Sequence, residues 1–308
     1  MRSRPEGVDA TIVVMAKHGK QEKMTGAKAA GSGSFTKALG VGQGFALADR
    51  DPRSTPGYDG GKAAGIALMT KTVPVLDDLQ ERLYAEARGG GTRALLLVVQ
   101  GMDTSGKGGI MRHVVGSVDP QGVSYTAFKA PTNDEREHPF LWRIRNALPQ
   151  PGQIGVFDRS QYEDVLITRV HNLVPPATWG RRYAQINTFE QTVTRAGTSI
   201  VKVMLHISSD EQKARLVTRL DRPEKHWKYN PADVDERERW PAYQDAYQAA
   251  IERCSTDHAP WFVVPADRKW YARLAVQQLV VEHLRLMAPQ WPSPTFDVKA
   301  EQARLAAT

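Results

Sequence analysis

Arg93-Ala-Leu-Leu-Leu-Val-Val-Gln100-Gly101-Met-Asp103-Thr104-Ser105-Gly106-Lys107-Gly108-Gly109 is the stretch that decides the fold. Its first half is a short unbroken apolar run, the pattern of a strand buried on both faces of a sheet. Its second half matches G-x-x-x-x-G-K, the pattern of a phosphate-binding loop. Glycines let the backbone fold so that successive N–H groups face one phosphate. A helix starting near Lys107 adds the partial positive charge of its N-terminus, and Lys107 adds a full charge. The alternative, a turn that only joins strand to helix, requires the apolar strand, the glycine spacing and the lysine to coincide. Where the usual motif carries a hydroxyl for magnesium, this chain has Gly108. Asp103 is the candidate replacement, because a carboxylate among phosphate-cradling amides repels phosphate unless a metal lies between.

Outward from this stretch, strands alternate with helices. Further strands are expected over 123–128, 154–157, 199–207 and 261–265. Helices are expected over 107–117, over 133–148 with Thr132 or Asn133 as cap, over 162–170 and over 178–196. Another, capped by Ser208 or Ser209, runs to 219, and a last long one covers 268–287. Ahead of the first strand, 63–87 has helical spacing that Pro74 should kink or break, and 35–60 reads as an ordered extended arm. This alternation predicts an α/β fold, three layers α/β/α around a parallel central sheet. Residues 1–34 read as a flexible segment, 35–288 as one domain and 289–308 as a loose tail. The polar insertion at about 219–240, before the last strand, is a natural place for a helical lid.

Ile154-Gly-Val-Phe-Asp158-Arg159-Ser160 brings a second acid to a strand end. In parallel sheets, sites lie at the carboxyl ends of strands. Asp103 and Asp158 together make a plausible magnesium seat, and Arg159 is placed to stabilise charge on a moving phosphoryl group. The lid segment carries Arg219, Arg222, Lys225, His226 and Lys228. These either track a polyanion or form a solvated basic face. Trp227 and Tyr229 either stack on a base or, in the favoured reading, anchor the lid by packing.

The net charge of +7 and pI near 9.4 favour a polyanionic partner, whether nucleic acid, phosphorylated metabolite, polyphosphate or an acidic membrane surface. A single cysteine, Cys254, excludes an internal disulfide and fits a reducing, cytoplasmic setting. The chain start lacks a signal-peptide core, and no apolar run approaches the ~20 residues of a spanning helix. His113, His138, His171 and His206 lack metal-ligand spacing, and no histidine is spaced to serve Ser105 or Ser160 as nucleophile.

Gly101-Met-Asp103-Thr-Ser-Gly106-Lys107-Gly108 and Asp158-Arg159-Ser160-Gln-Tyr162 resemble the two motifs of the polyphosphate kinase 2 family. Phe128-Lys129-Ala-Pro-Thr132, Phe140-Leu-Trp-Arg143 and Arg219-Leu-Asp-Arg222-Pro-Glu-Lys225-His-Trp-Lys228 resemble its other conserved stretches. The resemblance implies a P-loop kinase-like core under a helical lid, and magnesium-dependent phosphoryl transfer between inorganic polyphosphate and a nucleotide. It implies metal binding by Asp103 and Asp158, and stabilisation of the transferring group by Lys107, Arg159 and Arg219. Phosphate and nucleotide contacts are implied for Gly101, Thr104, Ser105, Gly106, Gly108, Lys129, Arg143, Glu163, Arg169, Arg222, Lys225 and Lys228. Glu163-Asp164 resembles the class III subgroup that accepts AMP as well as ADP. The implied partners are polyphosphate and adenine nucleotides, with guanine as the alternative base, in a homo-oligomer without nucleic acid or membrane. Two rivals are an ATP-dependent nucleoside or nucleotide kinase of the same fold, and a basic module that binds nucleic acid or another polyanion.

Overall fold

The computed structural model describes residues 33–308. The segment read as flexible, 1–34, lies outside them except for its last two residues. There Ser34 caps a short helix, α1 (Phe35–Leu39), which leads into β1 (Gly40–Val41). Phe35 and Leu39 are buried, and Glu282 accepts hydrogen bonds from the N–H groups of Phe35 and Thr36. The expected extended arm therefore begins as a helix docked on the core. α2 (Lys62–Arg88) runs through Pro74 without a break. Interior proline costs a helix about 3 kcal/mol. Packing offsets this: Leu76 and Leu83 are buried, and Gln277 and Gln278 donate to Met69 O and Thr72 Oγ1.

β2 (Ala94–Gln100) then leads into α3 (Lys107–His113) and β3 (Val123–Ala127). Two short helices follow, α4 (Asn133–Arg136) and α5 (Trp142–Asn146), where the sequence suggested one. Pro139 lies between them; it lacks a donor and disfavours helix at the residue before it. Thr132, not Asn133, is the cap, paired reciprocally with Glu135. β4 (Ile154–Asp158), α6 (Ile167–Val170), α7 (Pro176–Arg195), β5 (Thr198–His206) and α8 (Ser209–Asp221) continue the alternation. The insertion carries α9 (Ala232–Glu238), α10 (Trp240–Cys254) follows it, and β6 (Trp261–Pro265) precedes α11 (Lys269–Met287). The tail read as loose holds a further helix, α12 (Val298–Ala306), capped by Asp297.

The six strands lie in the order β1-β6-β5-β2-β4-β3. Five are parallel, as expected; β1 adds an antiparallel edge to β6, too short for its pattern to show in sequence. All seven residues of β2 are buried. Leu95, Leu97 and Val99 enter one core cluster with Leu76 of α2, Ile110 of α3 and Leu279 of α11. Leu96 and Val98 enter another with Ile144 of α5 and Phe189 of α7. Alternate side chains point to opposite faces, and helices cover both, which is the three-layer arrangement. Because β2 and β4 are parallel neighbours, the loops after Gln100 and after Asp158 emerge at the same edge. Among the described residues, no helix is long and apolar enough to cross a membrane.

Candidate active site

The loop after β2 closes tightly against β5. A Cβ at Gly101 would lie 2.6 Å from Ser105 Oγ and 2.9 Å from Leu205 O, so only glycine fits. Gly106, at φ 117°, is the left-handed cap of α3. Thr104 (φ 61°) and Arg159 (φ 66°) hold the left-handed conformation without being glycine. Such positions cost about 1–3 kcal/mol and persist where the surroundings over-determine them. Here both fall in the two motifs. Lys107 Nζ donates to Gly101 O at 2.8 Å, closing the loop on itself.

α8 holds the loop from behind. Arg215, 7% exposed, donates to Thr104 O at 2.8 Å and Ser105 O at 3.0 Å. The same guanidinium reaches Ala266 O and Asp267 O, and Gln212 Nε2 donates to Asp103 O at 3.0 Å. Across a trans peptide the carbonyl and the following N–H point in opposite directions. Carbonyls 103 and 105 face α8, so the N–H groups of Thr104 and Gly106 face away from it. The N–H of Ser105 is taken by Met102 O. Neither Gln212 nor Arg215 stands out in sequence. Their only signal is a pair of long polar side chains, three apart, on the face of α8 that meets the core.

At the second strand end, Asp158 sits beside Val99, and Arg159 N donates to Val99 O at 3.1 Å. The Arg159 guanidinium crosses to the loop and meets Asp103 Oδ1 at 3.1 Å. The Asp158 carboxylate accepts a long contact from Tyr125 OH at 3.4 Å. Burial alone would lower Arg159, but Glu163, Asp103 and Asp158 around it more than offset that and hold it above its ordinary value. Glu163 lies deep in the cleft, although solvent still reaches it. Burial pushes its carboxyl above the usual range, against the pull of Arg159, Lys107 and a hydrogen bond from Gln100.

That upward shift has a stability consequence. In the unfolded chain Glu163 ionises at its ordinary value, and in the folded chain only at higher pH. Stability therefore falls as pH rises between those two values, and the deficit is complete above the folded one. Glu163→Gln is expected to raise the melting temperature modestly at neutral pH and to leave it nearly unchanged at pH 4. Thermal melts across that range check this; a variant less stable at neutral pH than at pH 4, relative to wild type, contradicts it.

Behind Arg159 the chain is pinned from below. Gln100 Nε2 donates to Ser160 Oγ at 3.0 Å. Gln161 and Tyr162 both donate to Glu190 Oε1, at 2.9 and 2.8 Å. Lys202, fully buried in β5, donates to Glu190 Oε2 at 2.5 Å, Tyr162 OH at 2.8 Å and Cys254 O at 2.7 Å. Cys254 is buried beside this cluster and burial pushes its thiol up to about 12, so it packs and does not react.

Other residues expected at the site make their hydrogen bonds outside the two motifs. Arg219 pairs with Asp233 at 3.0 Å and donates to Lys228 O at 2.8 Å, bracing the lid from inside. Arg143 donates to Lys129 O at 2.9 Å and lies over the Phe128 ring, holding that loop in shape. Arg169 lies over Trp179, with hydrogen bonds to Tyr183 and Asp245 and none to either motif. Arg222 pairs with Glu224 at the exposed lid tip. Trp227 is 78% exposed with Lys228 over its ring, so it does not anchor the lid by packing as expected. A Cβ at Gly108 would meet nothing within 4 Å, so packing does not require glycine at that position.

Asp103 and Asp158 offer two carboxylates, and Thr104 Oγ1 and Ser105 Oγ are buried without partners. These are hard oxygen donors of the kind magnesium prefers. No third acidic, histidine or cysteine ligand joins them among the described residues.

Residues 66–292 match the family model for polyphosphate kinase 2. The chain belongs to the polyphosphate kinase 2 family. The match takes in both motifs of this family member, its lid and all of α11. A Meiothermus ruber protein named AMP/ADP-polyphosphate phosphotransferase is 44% identical over 250 residues, which is 81% of this chain and 92% of that one. A Rhodopseudomonas palustris protein named ADP-polyphosphate phosphotransferase is 43% identical over 240 residues, 74% of this chain and 82% of its own. The crystal structure of polyphosphate kinase 2 from Arthrobacter aurescens TC1 superposes with a TM-score of 0.89 at 56% identity, covering 90% of this chain and 98% of that one. The fold of this family member is accordingly P-loop kinase-like.

Proposed function

We propose that this polyphosphate kinase 2 family member transfers phosphoryl groups between inorganic polyphosphate and an adenine nucleotide, AMP or ADP. One observation carries the reading: the phosphate loop and the second strand end meet, Asp103 to Arg159, at 3.1 Å. Simple polyanion binding requires no such convergence of acids with a half-buried arginine.

In this reading the N–H groups of Thr104 and Gly106, with Lys107 turned away from Gly101 O, hold one phosphate. Arg159 swings from Asp103 toward the group in transit and neutralises its charge. No general base is required, because a nucleotide phosphate is already ionised. The lid, braced by Arg219 and Asp233, closes over the reacting groups and excludes water that would otherwise hydrolyse the donor. Asp103 and Asp158 would hold magnesium, which when bound neutralises phosphate charge. Glu163, beside Arg159, supports acceptance of AMP as well as ADP. Adenine as the base, assembly as a homo-oligomer and a cytoplasmic setting complete the proposal.

The test incubates the purified full chain with magnesium, polyphosphate and either AMP or ADP, and separates the nucleotides. ADP and ATP formed from AMP is the expected result. Product only when ATP replaces polyphosphate as donor would assign the chain to the nucleotide-kinase rival instead.

A further inference from the structure

α8 grips the phosphate loop in two different ways. Arg215 ties Thr104 O and Ser105 O to Ala266 O and Asp267 O, just past β6, so that part of the loop is anchored to the core. Gln212 ties Asp103 O to the lid instead. Its Nε2 donates to Asp103 O at 3.0 Å, and its Oε1 accepts from Arg237 of α9 at 2.7 Å. Resting on the function proposed above, we infer that Gln212 is a positioning residue. It passes the seating of the lid helix α9, through Arg237, to the peptide between Asp103 and Thr104, and so aims the Thr104 N–H at phosphate.

The chemistry of the three groups sets the direction of the amide. An arginine side chain only donates and a backbone carbonyl only accepts. The Gln212 amide therefore fits between them one way round, oxygen toward α9 and nitrogen toward the loop. Gln212 is 2% exposed, so bulk water replaces neither partner. Withdrawing Arg237 leaves a buried oxygen without a donor and frees the amide to turn. Across a trans peptide, whatever turns the Asp103 carbonyl turns the Thr104 N–H with it. Thr104, at φ 61°, also holds a backbone conformation that persists only while its surroundings enforce it.

α9 itself is seated from two sides. Arg237 also donates to Ser209 O at 2.9 Å and to Ser209 Oγ at 3.2 Å, at the start of α8. Its neighbour Glu236 is held by His171, just past α6, at 2.8 Å and by Tyr243 OH of α10 at 2.6 Å. The other link between α8 and α9, Arg219 to Asp233, continues to Lys228 O within the lid and not to the loop. Among the described residues, the hydrogen-bonded path from α9 to the phosphate loop therefore runs through this one amide.

Full-length Arg237→Ala, Gln212→Met, their double variant and Gln212→Glu are compared with wild type. The readouts are kcat with polyphosphate and ADP, calorimetric Kd for tripolyphosphate with magnesium, and thermal melts. Each single variant should lose kcat roughly tenfold, the size of one hydrogen bond, and the double variant should lose no more than either. Gln212→Glu separates positioning from packing. Its carboxylate keeps Arg237 paired but turns an oxygen toward Asp103 O, so kcat should fall roughly tenfold while the melting temperature stays within about 4 °C. Tripolyphosphate Kd should weaken in the same pattern. Losses that multiply toward roughly a hundredfold in the double variant, near-normal kcat in Gln212→Glu, or losses that simply follow the melting temperature would each overturn the inference. Tripolyphosphate binding that weakens in this pattern, in a wild type that transfers nothing to ADP, would sustain the coupling while sinking the proposed function. Absence of the pattern from both readouts would overturn the coupling whatever the wild type transfers.

Discussion

Lys107→Ala is expected to lower kcat for phosphoryl transfer roughly a hundred- to a thousand-fold, the range for losing one preorganised charge donor at a developing anion. The fold should be untouched. Lys107 is half-exposed and its hydrogen bond goes to Gly101 O. The loop keeps its shape through Arg215 and Gln212, which hold its carbonyls, and through the crowding at Gly101. The melting temperature should therefore stay within about 4 °C of wild type. Lys107→Arg should not restore turnover, because a planar fork does not occupy the place of a compact ammonium. Asp103→Asn should cost a similar factor by removing one carboxylate of the proposed metal seat and the partner of Arg159. The two losses should not multiply in the double variant, since both residues serve one phosphate. Single-turnover assays with melts alongside decide it; near-normal kcat in the folded Lys107→Ala protein would refute the assignment.

The parts of this site that could be read in sequence share a physical cause. β2 is buried on both faces, so its apolar run is unbroken, and the glycine spacing after it has no cheaper explanation than a phosphate loop. Asp158 could be placed near Asp103 because adjacent parallel strands deliver their ends to one edge. What escaped has a cause as well. Arg215 holds the loop from 110 residues away in sequence, and no local pattern marks such a contact. β1 has two residues, too few for any period. The two prolines misled in opposite directions. Pro74 sits in a helix of 27 residues that packs against α11, and the helix survives. Pro139 lies between segments of four and five residues with no such support, and the helix ends. Propensity decides where tertiary packing is weak.

Lys202→Ala is expected to cost about 3–5 kcal/mol of folding stability, the range for leaving a buried charge without its partner. Lys202 and Glu190 are both 0% exposed, and their contact at 2.5 Å is the only ion pair among the described residues with no solvent access on either side. Removing the ammonium leaves the Glu190 carboxylate held only by Tyr162 OH and Gln161 Nε2, and leaves Cys254 O without its donor. The pair's own charge is not what the fold requires, however. Lys202→Met together with Glu190→Gln removes both charges while keeping an acceptor for Tyr162 and Gln161. The double variant should therefore recover most of the loss, leaving about 1–2 kcal/mol for the orphaned carbonyl. Denaturant midpoints with unchanged slopes measure this. Because Gln161 and Tyr162 directly follow the turn that carries Arg159, the single variant should also lose kcat, and the double variant should regain it in step with stability. A single variant costing under about 1 kcal/mol would mean that water or a rearranged side chain replaces Lys202, and that the anchor beneath Arg159 lies elsewhere.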